Sequence, residues 1–491
     1  MIAAECEPWA KTGGLGDVVD ALARSIGALP GELDGQAEVF LPRYRGVPVP
    51  PGAAATRRLR VPDPYGGGAD GTTEVGLIEL DADGYRLRLV DHPAAFDRDG
   101  FYGDAAGDFP DNAWRFGLLC RAALEALRAD GRPVDLISLH DWQAGPAVAY
   151  RDLRYADDPI VGRAAIATTV HNLAYHGWTP AESVGQLGLT RDEGLLVWDG
   201  AGIDLLGIAL ERAEVANTVS PTFAEEALTP EYGKGLDAIL RRKEDRFVGI
   251  LNGLDTELWD PAADPVLAAP YAAASIAGKA ACRADLLQRT GLDPADDGPV
   301  FGMIGRLDPQ KGFDLAAAIA EPLVAAGGRL VVQGSGDPAI AALLRAAAAA
   351  HPGRVALVER FDREMARRIY AGADLFVMPS RFEPCGQGQM IALRYGTPPI
   401  VRRTGGLADT VVDATERPRS GTGVVFDPAT PEALLAACLR AAELRAAGGR
   451  RWAGIVARGM ALDFDWRRSA APRYLALFRR AIRLRAAARR G

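Results

Sequence analysis

The chain has 491 residues, 48% of them hydrophobic and 24% charged, enough for two large domains that need no disulfide or metal staple. No apolar run reaches membrane-spanning length, and a formal net charge of −8 speaks against a general nucleic-acid binder while allowing a local basic pocket. Five cysteines, Cys6, Cys120, Cys282, Cys385 and Cys438, are scattered without metal-ligand spacing, which fits a reducing, cytoplasmic setting and no zinc site. Of 56 basic side chains only five are lysines: Lys11, Lys234, Lys243, Lys279 and Lys311. A lysine that persists in so arginine-rich a chain, inside a glycine-rich phrase, is a pointer to function.

In the first half, Glu38–Leu41, Tyr85–Val90, Leu136–Leu139 and Ala164–Val170 read as strands. Asp17–Ile26, Asn112–Asp130 and Leu205–Ala216 read as helices. Asp83-Gly84 is a hairpin signal, and Pro42–Asp70, rich in Pro and Gly, reads as surface loop. Asn-Gly and Asp-Pro cluster over Asn252–Pro265 and suggest a domain boundary. The second half alternates cleanly. Strands are expected at Val300–Ile304, Arg329–Gln333, Val355–Val358, Asp374–Met378 and Pro399–Val401. Helices are expected at Phe313–Ala326, Pro338–Ala350, Arg363–Ala371 and Gln389–Tyr395. This is the grammar of βαβ units and a doubly wound parallel sheet, whose ligand site lies at the carboxyl ends of the strands. The tail Arg467–Arg490 reads as an amphipathic helix with the stripe Tyr474, Leu475, Leu477, Phe478 and Ile482.

Four phrases carry chemistry. Lys11-Thr12-Gly13-Gly14-Leu15-Gly16-Asp17 places a glycine turn and a lysine at a helix start, a geometry that offers free N–H groups to an anion. It is neither a P-loop nor a dinucleotide fingerprint. Gly305-Arg306-Leu307-Asp308-Pro309-Gln310-Lys311-Gly312 follows a strand, and its two cations suit a diphosphate. Ser380-Arg381-Phe382-Glu383-Pro384-Cys385-Gly386 puts a glutamate at a strand end, where it could bind sugar hydroxyls. Cys385 suits a small buried apolar role. Thr404-Gly405-Gly406-Leu407-Ala408-Asp409 mirrors the first phrase, so two anion-binding helix starts could clamp one phosphate-bearing ligand. His140-Asp141-Trp142-Gln143 and His171-Asn172-Leu173-Ala174-Tyr175 close two further strands with residue types that suit a sugar.

Taken together with Leu41-Pro-Arg-Tyr44, Val219-Ser-Pro-Thr222 and Leu251-Asn-Gly-Leu-Asp255, these phrases resemble the bacterial glycogen (starch) synthase family, in that family's order and over nearly the whole chain. The resemblance implies a GT-B α/β fold: two Rossmann-like doubly wound domains facing a central cleft, with a C-terminal helix crossing back. It implies an acceptor-side domain over 1–255, a nucleotide-sugar domain over 256–466, and a helix over 467–491 on the first domain. It implies retaining transfer of glucose from an ADP-glucose donor to an α-glucan (glycogen) acceptor, with no metal and no cofactor. Lys11 matches the family's nucleotide-sugar lysine. Arg306 and Lys311 match its diphosphate pair, Glu383 its essential glutamate and His171 its active-site histidine. Asp141 and Asn252 match positions near the sugar. The glycine phrases add Gly13, Gly14 and Asp17, and Thr404, Gly405, Gly406 and Leu407, as donor-binding residues. The chain departs from the family at Gln387-Gly388, where a leucine usually follows Glu-Pro-Cys-Gly.

Met1–Ala4 is all the apolar sequence ahead of the glycine loop, so the first strand is expected to be incomplete, with a natural start upstream. Three rival readings remain. A sucrose- or trehalose-type synthase is disfavoured by the lysine loop. A non-catalytic glucan-binding protein is disfavoured by the intact Lys11, Arg306, Lys311 and Glu383. A nicotinamide oxidoreductase is disfavoured by the missing GxGxxG.

Overall fold

A computed structural model describes residues 1–29, 31, 36–49, 57–104, 106–194, 197–295 and 297–490. The chain forms two compact units. One comprises Met1–Val219, Ala224–Gly253 and Trp466–Gly491; the other comprises Ser220–Phe223 and Leu254–Asp465.

The first unit is built on eight main strands: β1 (Ala37–Pro42), β2 (Arg57–Pro62), β3 (Thr72–Ala82), β4 (Tyr85–Asp91), β5 (Leu136–His140), β6 (Ala165–Val170), β7 (Val215–Thr218) and β8 (Phe247–Gly249). They pair as two ladders, β1-β4-β3-β2 and β8-β7-β6-β5. Residues 1–4 join them. Ile2 bridges in parallel to Leu139 on one side and Phe40 on the other. Its N–H donates to Ser138 O at 2.9 Å, and its carbonyl accepts from His140 N at 3.2 Å. Ile2, Ala3 and Ala4 are fully buried, as a strand covered on both faces must be. The short apolar start therefore pairs with both neighbours.

The hairpin at Asp83-Gly84 forms, with Ala82 opposite Tyr85 and Gly84 at φ +81°. Two readings need correction. Within Pro42–Asp70, Arg57–Pro62 is a strand, not loop. Leu59 and Val61 point into the core while Arg58 and Arg60 face out, a period-two pattern hidden by the surrounding Pro and Gly. Residues 50–56 of that stretch lie outside the described residues. The stretch Leu205–Ala216 is not one helix. Its helix runs Leu205–Arg212, capped by Asp204, which accepts from Gly207 N at 2.6 Å. The backbone turns extended at Ala213, and Val215–Thr218 is a wholly buried strand.

The C-terminal helix Ala471–Ala488 belongs to the first unit. It buries Tyr474, Leu475, Leu477 and Phe478 against Val18 and Leu22 of helix Gly14–Gly27 and against the sheet. The Tyr474 hydroxyl accepts from Asn217 Nδ2 at 3.2 Å.

The second unit is a six-stranded parallel sheet of β9 (Val300–Ile304), β10 (Arg329–Gln333), β11 (Val355–Val358), β12 (Leu375–Met378), β13 (Pro399–Arg402) and β14 (Val424–Phe426). Its order is β11-β10-β9-β12-β13-β14. The chain winds outward from β9 in one direction, then restarts at β12 and winds in the other. The topological switch point lies between β9 and β12, the place where such sheets open a ligand crevice at their carboxyl ends. The expected helix Phe313–Ala326 is split into Phe313–Ala318 and Ala320–Ala325. Pro322 accounts for the break, since its ring clashes with the carbonyl four residues earlier and it supplies no N–H.

One scarce lysine holds this unit together. Lys279 Nζ donates to Ala371 O at 2.7 Å, Tyr395 O at 3.2 Å and Thr397 Oγ1 at 2.6 Å. Two of these acceptors are carbonyls at the ends of helices Arg363–Gly372 and Gly388–Arg394, which have no intrahelical donor of their own. Burial lowers the Lys279 pKa to about 8. Lys279→Met keeps the stem but removes the ammonium from Ala371 O and Thr397 Oγ1, while Tyr395 O keeps the Tyr271 hydroxyl at 2.9 Å. It should destabilise this unit by about 2 kcal/mol, seen by calorimetry as a fall of roughly 4–8 °C in its unfolding midpoint.

Candidate active site

At the switch point of the second unit, the loops after β9 and β12 lie side by side. Asp308 opens the first loop, its carboxylate accepting from Gln310 N at 2.8 Å. Gly312, at φ +72°, lets the chain pass under Pro379, whose carbonyl would sit 2.3 Å from any Cβ there. Gln310 Nε2 then donates to Phe382 O at 3.1 Å, and Arg381 N donates to Gln310 O at 2.8 Å, lacing the two loops together. Lys311 is thereby placed with Nζ at 2.8 and 2.6 Å from the two oxygens of Glu383. The Glu383 side chain is 5% exposed. Ser380 Oγ donates to it at 3.1 Å. Arg306, on the same loop as Lys311, is exposed and makes no ion pair or hydrogen bond among the described residues. Sequence reasoning expected Arg306, Lys311 and Glu383 in one place, and the structure brings their loops together.

Thr404–Leu407 sit behind that carboxylate. Gly406 N donates to Glu383 O at 3.1 Å. A Cβ on Gly405 would lie 2.0 Å from Glu383 O, and one on Gly406 would lie 2.1 Å from Cys385 O. The Gly406 N–H is thus committed to the glutamate loop and not free for an anion. Cys385 is buried, as expected of a small apolar residue, and its carbonyl accepts from Gln389 Nε2 at 3.0 Å. Gln387 and Gly388 lie where the helix Gly388–Arg394 begins.

In the first unit the lysine loop also differs from expectation. Its Thr12 and Gly13 N–H groups are not open to a ligand. Both donate to Glu5 Oε2, at 2.6 and 3.0 Å. What the loop exposes is Lys11, whose Nζ rests on Asp17 Oδ1 at 2.5 Å in an ion pair about one-third exposed.

The two strand-end histidines meet. His140 Nδ1 lies 3.1 Å from His171 Nε2, and their rings stack with centroids 5.4 Å apart. Burial lowers the His171 pKa to about 3 and that of His140 well below its ordinary value, so both are neutral. Asp141 adopts φ +57° and accepts from His171 N at 2.7 Å, tying the two strand ends together. Burial pushes its carboxyl up to about 7. Trp142 packs on Phe116 with centroids 5.1 Å apart, and a Cβ on Gly177 would lie 2.2 Å from its ring. It therefore acts as a pillar more than as an open sugar platform. Asn252 is 6% exposed and its Oδ1 has no hydrogen-bond partner among the described residues.

Sequence reasoning missed three groups. Ser380 was read as part of a phrase, not as a donor to Glu383. Glu5 and Tyr102 carried no motif, and only their side-chain contacts bring them to the lysine loop. Phe361 is 77% exposed just beyond β11. An aromatic so exposed at the carboxyl edge of a parallel sheet suits a stacked ring. Among the described residues no helix is long and apolar enough to cross a membrane, and no group of three or more His, Cys, Asp or Glu side chains could hold a metal ion.

The family model for the starch synthase catalytic domain matches residues 1–242, and that for glycosyl transferases group 1 matches residues 298–443. The chain is 44% identical over 484 residues to a glycogen synthase of Anaeromyxobacter dehalogenans (strain 2CP-C), covering 98% of each chain. It is 41% identical over 491 residues to one of Syntrophotalea carbinolica, covering 99% of each. The catalytic domain of starch synthase IV from Arabidopsis thaliana, solved bound to ADP and acarbose, superposes with a TM-score of 0.87 at 33% identity, covering 98% of both chains. The chain belongs to the glycogen (starch) synthase family of GT-B glycosyltransferases.

Proposed function

We propose that this chain transfers glucose from ADP-glucose to the non-reducing end of an α-1,4-glucan, with retention of configuration, and so builds glycogen. The observation that carries this reading is Arg306, exposed and without an ion pair or hydrogen bond among the described residues, on the same loop that brings Lys311 to Glu383 at the switch point of the second sheet. Departure of ADP builds negative charge on a diphosphate. A guanidinium free of protein partners can meet that charge as it grows, and a second cation lies on the same loop. Glu383, gripped through both oxygens, is better suited to ordering sugar hydroxyls than to attacking an anomeric carbon. An acceptor hydroxyl attacking from the face that ADP leaves fits this arrangement. Phe361 suits the nucleotide base. Lys11, Asp141, His171 and Asn252 stand in phrases that resemble the family's, which supports reading them as donor-binding residues of the first unit. The glycines Gly13, Gly14, Gly405 and Gly406, with Thr404, Leu407 and Asp17, serve it by shaping the loops. Incubation with glycogen and labelled ADP-glucose or UDP-glucose tests the reading. Incorporation chiefly from ADP-glucose, with α-anomeric signals in the product NMR spectrum, is expected. Transfer from neither donor, or a β-linked product, would refute it.

Arg306→Ala and Lys311→Ala should separate activity from stability. Arg306 holds nothing in place, so its loss should cut kcat by roughly 10²-fold or more while leaving the melting temperature unchanged. Removal of Lys311 also strands a buried carboxylate. It should cost about 2 kcal/mol of stability in addition to activity. Enzyme assay and thermal unfolding on both variants check this split.

Asp141 sets a pH dependence. Ionised, it accepts the His171 N–H that holds the strand end in place. Protonation as the pH falls through about 7 weakens that acceptor, so kcat/KM should decline on the acid side of 7. Stability has the opposite sign. A carboxyl raised by burial is stabilising while protonated, and that contribution fades as the pH rises through about 7. Asp141→Asn should flatten the acid limb of the pH–rate profile.

A further inference from the structure

The lysine loop lacks one kind of support. A Cβ added to Gly13 or to Gly14 would meet nothing within 4 Å, so packing does not stiffen the turn at its two most flexible residues. A single side chain does. Glu5 is 3% exposed and directly follows the buried residues 2–4 that join the two ladders. Its Oε2 accepts from Thr12 N at 2.6 Å and Gly13 N at 3.0 Å. Its Oε1 accepts from Thr12 Oγ1 at 2.6 Å and from the Tyr102 hydroxyl at 2.6 Å. Four donors converge on one carboxylate. Hydrogen bonds to an ionised group are shorter and about twice as strong as neutral ones. Tyr102 and Asp141 both sense the charge of Glu5, which places all three in one neighbourhood.

We propose that Glu5 is a positioning residue for donor binding: it splints the Lys11-Thr12-Gly13 turn and Tyr102 into one rigid piece, so that Lys11 is presented to the nucleotide sugar without further ordering. The inference rests on the reading of Lys11 as a donor ligand. A flexible loop that must be ordered on binding lowers affinity by the entropy of ordering it. A carboxylate can satisfy all four donors, whereas an amide oxygen can serve only one pair. The other pair then faces an NH₂ group, which donates and cannot accept.

The test is steady-state kinetics of Glu5→Gln, Tyr102→Phe, the double variant and Lys11→Ala, with ADP-glucose and glycogen each varied. Glu5→Gln should raise the KM for ADP-glucose roughly tenfold, with kcat and the glycogen KM within about twofold of the parent. Tyr102→Phe, which removes one of the four bonds, should raise it several-fold. The double variant should be no worse than Glu5→Gln alone, because both changes act on one unit. A raised donor KM in Lys11→Ala with an unchanged one in Glu5→Gln overturns the inference alone. An unchanged donor KM in Lys11→Ala overturns the reading beneath it and the inference with it. A loss confined to kcat, or equal damage to both substrates, marks Glu5 as merely structural and overturns it too. If Glu5→Gln fails to fold, Tyr102→Phe decides: an unchanged donor KM there overturns the inference.

Discussion

A carboxylate that is 5% exposed must have its charge answered from close by, and the loops of the second unit are arranged around that demand at Glu383. Lys311 answers the charge and Ser380 adds a hydrogen bond. To bring Lys311 there, the loop after β9 must run against the loop after β12. That contact requires a glycine at 312, where the chain turns left-handed beneath Pro379, and the Gln310–Phe382 and Arg381–Gln310 bonds that fix the register. Gly405 and Gly406 are needed because the next loop approaches the same backbone to within van der Waals limits. Among the described residues, Arg306 takes no part in this internal bonding. The geometry thus divides the positive charge into one part that keeps the site folded and one part still available to a ligand.

The five lysines show why composition was informative. Lys11 and Lys311 stand in the two candidate loops, each on a carboxylate. Lys279 and Lys243 are largely buried and donate to main-chain carbonyls, Lys279 at the ends of two helices and Lys243 at Glu211 and Ala213 just after another. Lys234 sits at φ +51° closing a short helix. An ammonium on a slim stem can enter a gap and offer three donors over a wide angle. A guanidinium is too broad and planar for that. Lys243 and Lys279 occupy such gaps, where burial lowers the pKa of each to about 8.

Much of the architecture was legible because it follows from periodicity. Short apolar runs alternating with helices specify a parallel sheet, and the loops at the strand ends then place Arg306, Lys311 and Glu383. What was illegible has physical causes. Strand β2 is an edge strand with charged alternate residues, so its signal is half that of a buried one. The break at Ile319 needed attention to Pro322. The helix that seemed to continue through Ala216 is an apolar run in which helix and central strand look alike. Glu5 could not be found from local pattern at all. Its partners are 7, 8 and 97 residues away, and nothing in a linear phrase announces a contact with Tyr102.

The repeated phrase Thr-Gly-Gly-Leu is the clearest case of a correct signal with an incomplete reading. Sequence alone suggests two helix starts that offer N–H groups to anions. In the structure each copy is fastened to a buried glutamate of its own unit. In the first unit Thr12 N and Gly13 N donate to the Glu5 side chain. In the second, Gly406 N donates to the Glu383 main-chain carbonyl. Glycines serve here by permitting close approach, and the amides they free are used at once to fix a neighbouring loop. Thr12 and Gly13 precede the helix Gly14–Gly27, so the Glu5 bonds fix the chain's approach to that helix and not its first turn. What the second unit leaves to meet an anion is side-chain charge, and Arg306 is exposed there without an ion pair or hydrogen bond among the described residues. A side chain free of such internal bonds can follow a charge that moves, which a rigid pair of amides cannot do.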